Sequence, residues 1–208
     1  MIGGSEVPNL LQPNAESTLV VSQDVDIGVA VDRVESIKRL LRTVTGLAPS
    51  SEEPSVYVPS ESDLIEANFL GLDSRIREPG ETYVFEDPDL PLMVFGPLGL
   101  LRPGRIVDVD GLRLPLPRVG DLMVEKLLTD RTGEKGVRDL LVVAGLFTIA
   151  TEADLEDVGE VVRRLSAESR HEIRSALTVL SLLDGRANMP DPKPVRAQAQ
   201  ALIARLEQ

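Results

Sequence analysis

Hydrophobic and polar residues alternate along the stretch DVDIGVAV, which runs from Asp24 to Val31. Its odd-numbered positions are Val or Ile, and its even-numbered positions are acidic or small. This alternation is typical of a β-strand that is buried on one face. The next stretch, RVESIKRLLRTVTGL, has apolar residues at helical spacing. It predicts a helix that Asp32 caps, with Glu35 three residues later, and that Gly46 ends.

The hydrophobic pattern changes from strand-like to helical near Pro117. Residues 5–17 predict at most a short helix and a loop, and strands are expected at SVYV, ETYVFE, LPLMVFG and RIVDVDGLRLPL. The last of these contains Asp110-Gly111, a pair that favours a two-residue hairpin turn. Five stretches from Asp121 onward have helical spacing, and the last is expected to pack on the others rather than on a second subunit. An α+β half and a helical half are therefore predicted.

The composition excludes several classes of protein. The chain of 208 residues has no cysteine and one histidine, which rules out a disulfide scaffold and argues against a zinc site. It has no apolar run long enough to span a bilayer and no signal-peptide pattern, so a soluble cytoplasmic protein is expected. A net charge of −12 opposes non-specific binding to nucleic acid, although basic residues cluster between Arg102 and Arg138.

The acidic pair in the predicted strand is a candidate metal site. Residues two apart on a strand share a face at a Cα separation of about 6.6 Å, so the carboxylates of Asp24 and Asp26 can converge on one cation. Oxygen ligands of this kind suit Mg²⁺ or Mn²⁺. Gly28 and Ala30 would leave room for a bulky ligand over the same face. The alternative is a half-exposed strand whose polar face happens to be acidic, and the spacing alone leaves both interpretations open.

Taken with a glycine turn near the start and the helix that follows, this stretch resembles the nucleotidyltransferase superfamily that includes DNA polymerase β. The resemblance is to small bacterial members of the AbiEii-like, toxin-associated type in particular. In that family a Gly-Gly or Gly-Ser turn and a Ser or Thr two residues before the D-x-D strand contact the phosphates of a nucleoside triphosphate. The matching positions are Gly3, Gly4, Ser5, Ser22, Asp24 and Asp26.

A second stretch, PRVGDLMVEKLLTDRTGEKGVRDLLVV, resembles the start of the family's helical domain. The resemblance implies an orienting role for Asp139 and contacts to phosphate or acceptor from four cations: Lys126, Arg131, Lys135 and Arg138. On their own these charges fit equally well a solvated helix face with acidic partners. The family then implies a nucleotidyltransferase-like mixed β-sheet with flanking helices in residues 1–117, followed by a C-terminal helical domain in residues 118–208.

Two features depart from the family pattern. The family places a third acidic residue on a strand beside the D-x-D strand, but the strand aligned with it here, LPLMVFGP, offers Met93, Val94 and Phe95. Glu86 or Asp87 is the expected substitute. The helix and most of the strand that precede the glycine pair in the family do not precede Gly3.

The expected function is Mg²⁺-dependent transfer of a nucleotide from a nucleoside triphosphate to an acceptor, RNA or protein, with Asp24 and Asp26 as catalytic metal ligands. The alternative is a catalytically degenerate member that binds a nucleotide or a protein partner, with a role in a toxin–antitoxin pair suggested by the family alone.

Overall fold

The computed structural model describes residues 1–12, 24–60, 64–76, 78–128, 134–185 and 191–207. The strands are β1 (Asp24–Ala30), β2 (Leu47–Pro49), β3 (Val56–Pro59), β4 (Glu66–Leu72), β5 (Tyr83–Phe85), β6 (Leu92–Val94), β7 (Pro103–Val109) and β8 (Leu112–Pro117). The helices are α1 (Val7–Leu11), α2 (Val34–Leu41), α3 (Val119–Leu127), α4 (Glu134–Ile149), α5 (Glu152–Arg164), α6 (Ala167–Ser181) and α7 (Pro192–Leu206). Short 3-10 turns occupy Gly4–Glu6, Val31–Arg33 and Gly96–Leu100.

Strand β4 lies at the centre of a six-stranded mixed sheet. Strand β1 pairs with it in parallel along its whole length, from Asp24 beside Glu66 to Ala30 beside Leu72. On the other edge of β4, β3 pairs antiparallel near its start and β6 pairs in parallel near its end. Strands β2 and β5 extend the sheet beyond β3 and β6. The predicted strand at β1 is confirmed, whereas β4 was not predicted.

The two faces of the sheet meet different partners. Val29 of β1, with Ala67 and Phe69 of β4, is buried in a hydrophobic cluster that includes Val34 of α2. Because side chains alternate along a strand, the even-numbered residues of β1 and β4 face the opposite way. That face carries Asp24 and Asp26, and it looks towards the helical part of the chain.

Helix α2 is shorter than predicted and ends at Leu41. After it, the backbone N–H groups of Thr43 and Val44 donate to the carbonyls three residues earlier, those of Leu40 and Leu41, in place of the α-helical pattern. Leu40 and Val44, two of the residues whose helical spacing predicted this helix, are consequently 62% and 41% exposed. The predicted cap is also wrong. Asp32 lies inside the 3-10 turn that precedes α2, and the helix begins at Val34 without a side-chain cap.

Strands β7 and β8 form a separate antiparallel ribbon. Its turn residues Asp110 and Gly111 have φ of 51° and 84°, as a two-residue hairpin turn with positive φ requires. The predicted hairpin is therefore confirmed. The backbone N–H of Ile2 donates to the carbonyl of Pro115 at 2.9 Å, which joins the ribbon to the N-terminal residues.

Helices α3 to α7 surround a second hydrophobic core, with α3 buried along almost its whole length. Val7 of α1 and Leu116 of β8 also belong to this core. Helix α7 contributes Val195 and Leu202, each 2% exposed, so its predicted packing on the other helices is confirmed.

A buried ion pair connects the end of the sheet region to α3. Asp121, in the first turn of α3, is fully buried and accepts hydrogen bonds from the Arg102 guanidinium at 2.7 and 2.9 Å and from the Arg102 backbone N–H at 2.9 Å. These bonds to Asp121 hold the pKa of Arg102 above its ordinary value. Asp157 of α5 also contacts Arg102, at 3.2 Å, so one guanidinium links the sheet region to two helices.

A similar cluster follows the end of β4. Asp73 is buried, and its carboxylate accepts from the Arg75 guanidinium at 2.8 Å and from the Tyr83 hydroxyl at 2.7 Å. The hydrogen bonds from Arg75, and then that from Tyr83, hold the pKa of Asp73 well below its usual range. These bonds therefore fix the conformation of the chain immediately after β4.

The predicted α+β class is confirmed, since a mixed sheet with a flanking helix precedes the C-terminal helices. The division into residues 1–117 and 118–208 stays a prediction. None of the described helices combines the length and the apolar composition needed to cross a bilayer.

We predict that Asp121→Ala lowers the free energy of unfolding by about 2 kcal/mol or more, because it leaves the Arg102 guanidinium without its buried partner. The matched control is Asp184→Ala. Asp184 also pairs with an arginine, Arg196 at 3.4 Å, but its side chain is 98% exposed. Exposed pairs contribute about 0–1 kcal/mol, so urea denaturation should separate the two variants, and equal losses would contradict the prediction.

Candidate functional site

A cavity of about 510 Å³ opens between the even-numbered face of β1 and β4 and the helices α3 and α4. We call it the acidic cavity, because five carboxylates line it against two cations among the described residues. Its ionisable lining residues are Asp24, Asp26, Glu53, Glu66, Asp139, Lys126 and Arg138. Gly4, Ser5, Ser55 and Asn68 add polar groups to the same wall.

The two aspartates of β1 share one amide partner on β4. Asn68 lies beside Asp26 in the strand register, and its Nδ2 donates to Asp24 Oδ2 at 2.8 Å and reaches Asp26 Oδ1 at 3.5 Å. The Asn68 Oδ1 is buried and has no hydrogen-bond partner among the described residues. The Asn68 Nδ2 thus contacts both carboxylates, and the one acceptor of the amide, Oδ1, has no partner among the described residues.

The glycine turn packs directly on Asp26. The Gly3 N–H donates to the Asp26 carbonyl at 2.9 Å, and Ile2 forms an antiparallel bridge with Ile27. Gly4 follows with φ of 74°, a conformation that favours glycine. A Cβ on Gly4 would lie 2.5 Å from Asp26 Oδ2, so only glycine lets the backbone approach this carboxylate.

Two cations on the helices face the same cavity. Arg138 of α4 donates from Nη2 to Ser5 Oγ at 3.1 Å, which ties α4 to the glycine turn. Lys126 of α3 is buried, and its Nζ lies 3.2 Å from Glu125 Oε2 and 3.4 Å from Asp139 Oδ1. The charge of Lys126 is therefore held in place by carboxylates of two helices.

An adjoining cavity of about 440 Å³ shares Gly4, Asp26, Leu70, Phe95 and Lys126 with the acidic cavity. We call it the apolar cavity, because leucine, proline and methionine are seven of the thirteen described residues that line it but not the acidic cavity. They are Met1, Leu72, Pro79, Pro97, Leu98, Leu101 and Leu128.

The interpretation of Gly28 needs a correction. Gly28 lines the apolar cavity, but the space beside it is taken by Leu72, whose Cδ1 would lie 2.7 Å from a Cβ on Gly28. The small residue accommodates a neighbouring strand's side chain rather than leaving open room for a ligand. Ala30 is exposed at the end of β1 and does not line either cavity.

The structure brings together most of the residues that the sequence singled out. Gly4, Asp24, Asp26, Lys126 and Arg138 line the acidic cavity with Ser5 and Asp139, and Gly3 lines the apolar cavity. Ser22 and Arg131 lie outside the described residues. Lys135 belongs to α4, but its side chain is not described either.

The expected position of the third acid is wrong, because the strand beside the D-x-D strand is β4 and not β6. Asp87 instead pairs with Lys38 of α2 at 3.0 Å, and neither it nor Glu86 lines the acidic cavity. Glu66 of β4 does line it, in register with Asp24. Sequence reasoning missed Glu66 and Asn68, whose alternation with the buried Ala67 and Phe69 is a strand signal of only four residues.

The donor set suits Mg²⁺, which is commonly bound through one or two carboxylates and completes its shell with water and substrate phosphates. Asp24 and Asp26 would supply the carboxylates, and the unsatisfied Asn68 Oδ1 is a further oxygen ligand if the amide rotates. Among the described residues, no group of three or more His, Asp or Glu side chains lies close enough together to hold a metal ion.

No family model matches the chain. No curated protein matches it. Among solved structures it is similar to a protein from H. pylori described as a "putative nucleotidyltransferase", at 14% identity and a TM-score of 0.36, over 100% of this chain and 87% of that one. A TM-score this low does not establish a shared fold.

We predict that Gly4→Ala lowers the free energy of unfolding by about 1–2 kcal/mol. The new Cβ would meet the Asp26 carboxylate, and the positive φ at this position disfavours alanine. Gly3→Ala is the matched control, since Gly3 has φ of −120° and nothing lies within 4 Å of an added Cβ. Denaturant unfolding of both variants is the measurement. Equal destabilisation would show that the turn does not press on Asp26.

Proposed function

We propose that the chain is a Mg²⁺-dependent nucleotidyltransferase that transfers a nucleotide from a nucleoside triphosphate to an acceptor hydroxyl. The observation that carries this proposal is the convergence of Asp24 and Asp26 with the glycine turn, Lys126 and Arg138 in one cavity. These groups come from four separate elements of the chain. Carboxylates for a cation and cations for phosphate, placed side by side, are what phosphoryl chemistry requires.

The charge of the acidic cavity supports the requirement for a metal. With five carboxylates against two cations among its described lining residues, the cavity repels a bare triphosphate. A divalent cation held by Asp24 and Asp26 would reverse that balance locally and would polarise the phosphate oxygens. Nucleotide binding should therefore depend on the cation, and not on Lys126 and Arg138 alone.

In the proposed reaction, Arg138 and Lys126 hold the phosphates, and the nucleoside extends into the apolar cavity that shares Asp26 and Lys126. The acceptor oxygen attacks the α-phosphorus, the new phosphorus–oxygen bond forms, and the α–β phosphoanhydride bond breaks to release pyrophosphate. Glu66, in register with Asp24 on the same face, is the carboxylate we assign to take the acceptor's proton.

One observation favours a second candidate, a protein that binds nucleotide without catalysis. The Asn68 amide lies between the two aspartates, in a position where a carboxylate would hold metal more tightly. Calorimetry with a nucleoside triphosphate separates the candidates, because binding without pyrophosphate release supports the second. A role in a toxin–antitoxin pair rests on the family resemblance alone.

We predict that Asp24→Asn lowers Mg²⁺-dependent nucleotide incorporation by at least about 100-fold, because it removes a metal-holding charge at the reacting phosphate. Labelled triphosphates are supplied with total RNA or with protein as the acceptor. Asp32→Asn is the matched control, since Asp32 is exposed in the 3-10 turn after β1. Unchanged incorporation by Asp24→Asn would reject the proposed site.

We predict that Asn68→Asp tightens Mn²⁺ binding by at least about ten-fold, because it places a third carboxylate between Asp24 and Asp26. Without metal the same variant should melt at a lower temperature than the wild type, owing to repulsion among the three carboxylates. Titration with Mn²⁺ followed by electron paramagnetic resonance measures the affinity. Asn9→Asp, which makes the same change on α1, should leave it unchanged, and equal affinities for both variants would contradict the proposed ligand position.

A further inference from the structure

A second charged cavity lies among the C-terminal helices, with a volume of about 510 Å³. We call it the arginine cavity, because arginines from three helices line it. They are Arg163 of α5, Arg170 and Arg174 of α6, and Arg205 of α7, and the remaining lining residues are Val162, Leu206 and Glu207. Among the described lining residues, four cations stand against one carboxylate, a local excess of positive charge in a chain whose net charge is −12.

Internal ion pairs account for only part of this charge. Arg205 pairs with Glu152, and Arg174 lies 4.0 Å from Glu207. Within the part of the chain that the structure describes, the side chains of Arg163 and Arg170 make no hydrogen bond or ion pair. Their positive charges therefore add to those of Arg174 and Arg205 without a direct side-chain partner to offset them.

Helix dipoles stabilise the positive charge of some of these arginines but not of all of them. Arg163 and Arg205 lie in the last turns of α5 and α7, where a positive charge interacts favourably with the helix. Arg170, by contrast, lies at the start of α6, where the helix dipole disfavours a cation. A ligand that carries negative charge would offset both the repulsion among the arginines and the unfavourable position of Arg170.

Helix α6 separates the arginine cavity from the apolar cavity. Arg170 and Arg174 line the arginine cavity, whereas Glu172, on the same helix, lines the apolar cavity. Residues two apart on a helix point to nearly opposite sides, so the two cavities lie on either side of a helix about 10 Å across. A chain-like ligand whose end meets the triphosphate where the acidic and apolar cavities join, at Asp26 and Lys126, would reach the arginines by crossing α6.

We propose that the arginine cavity binds the phosphodiester backbone of a single-stranded polynucleotide, and that this polynucleotide is the acceptor. The choice of a polynucleotide as acceptor rests on the proposed function, whereas the binding itself does not. Guanidinium groups recognise phosphate oxygens with paired N–H donors, and exposed arginines suit a ligand that lies across a surface. Arg174 and Arg205 retain 46% and 39% of their side-chain exposure.

The test is fluorescence anisotropy with a labelled single-stranded oligouridine and the full chain. For the wild type, log K plotted against the logarithm of the salt concentration should have a slope of about −0.7 for each arginine–phosphate contact. Arg163→Glu/Arg170→Glu should weaken binding by at least about ten-fold and reduce the magnitude of that slope by about 1.4, for two lost contacts. Arg163→Gln/Arg170→Gln should give an intermediate loss. Arg42→Glu/Arg113→Glu is the control of equal charge change, at two exposed arginines that do not line the arginine cavity.

Each outcome decides the proposal. Equal binding by the Arg163→Glu/Arg170→Glu variant and the control overturns it. So does binding of inorganic triphosphate or of a polyglutamate peptide at this cavity with no binding of oligouridine. Asp24→Asn should leave oligouridine binding unchanged while incorporation is lost. If the wild type binds oligouridine through these arginines but incorporates no nucleotide, the binding site stands and the proposed function fails.

Discussion

The parallel pairing of β1 with β4 determines what the candidate site contains. It places Asp24 beside Glu66 and Asp26 beside Asn68, although the two strands lie about forty residues apart in the sequence. Because side chains alternate along a strand, a shift of one residue would turn one strand's polar groups into the hydrophobic cluster beneath α2. Burial of Ala67 and Phe69 on the opposite face opposes that shift, so core packing fixes the register of the polar groups.

The N-terminal residues connect this strand pair to the helices. Gly3 bonds to the backbone of Asp26, Ser5 accepts from Arg138, and Val7 is buried in the helical core. The same short segment therefore contacts the acidic pair, the cation that faces it and the core behind it. The position of Arg138 relative to Asp26 depends on this segment as well as on the packing of the helices.

Local signals in the sequence predicted the elements that depend on local forces. Alternation predicted β1, the Asp110-Gly111 pair predicted the β7–β8 hairpin, and helical spacing predicted the helices after residue 117. Strand β4 was missed because Leu70 and Leu72 occupy positions on its polar face, while the small Ala67 and Gly71 have weak strand preference. Glu66 and Asn68 were missed with it. Their closeness to Asp24 arises from long-range pairing, which a single sequence does not reveal.

The ribbon of β7 and β8 lies outside the main sheet, and it exposes apolar side chains such as Ile106 and Leu112. A free strand edge of this kind can recruit strands of other molecules and lead to aggregation. Two features of this ribbon oppose such recruitment. Pro115 and Pro117 have no amide hydrogen to offer to an incoming strand, and the Pro115 carbonyl is already occupied by Ile2. The prolines of β8 therefore leave its outer edge with fewer backbone groups to which another strand could bond.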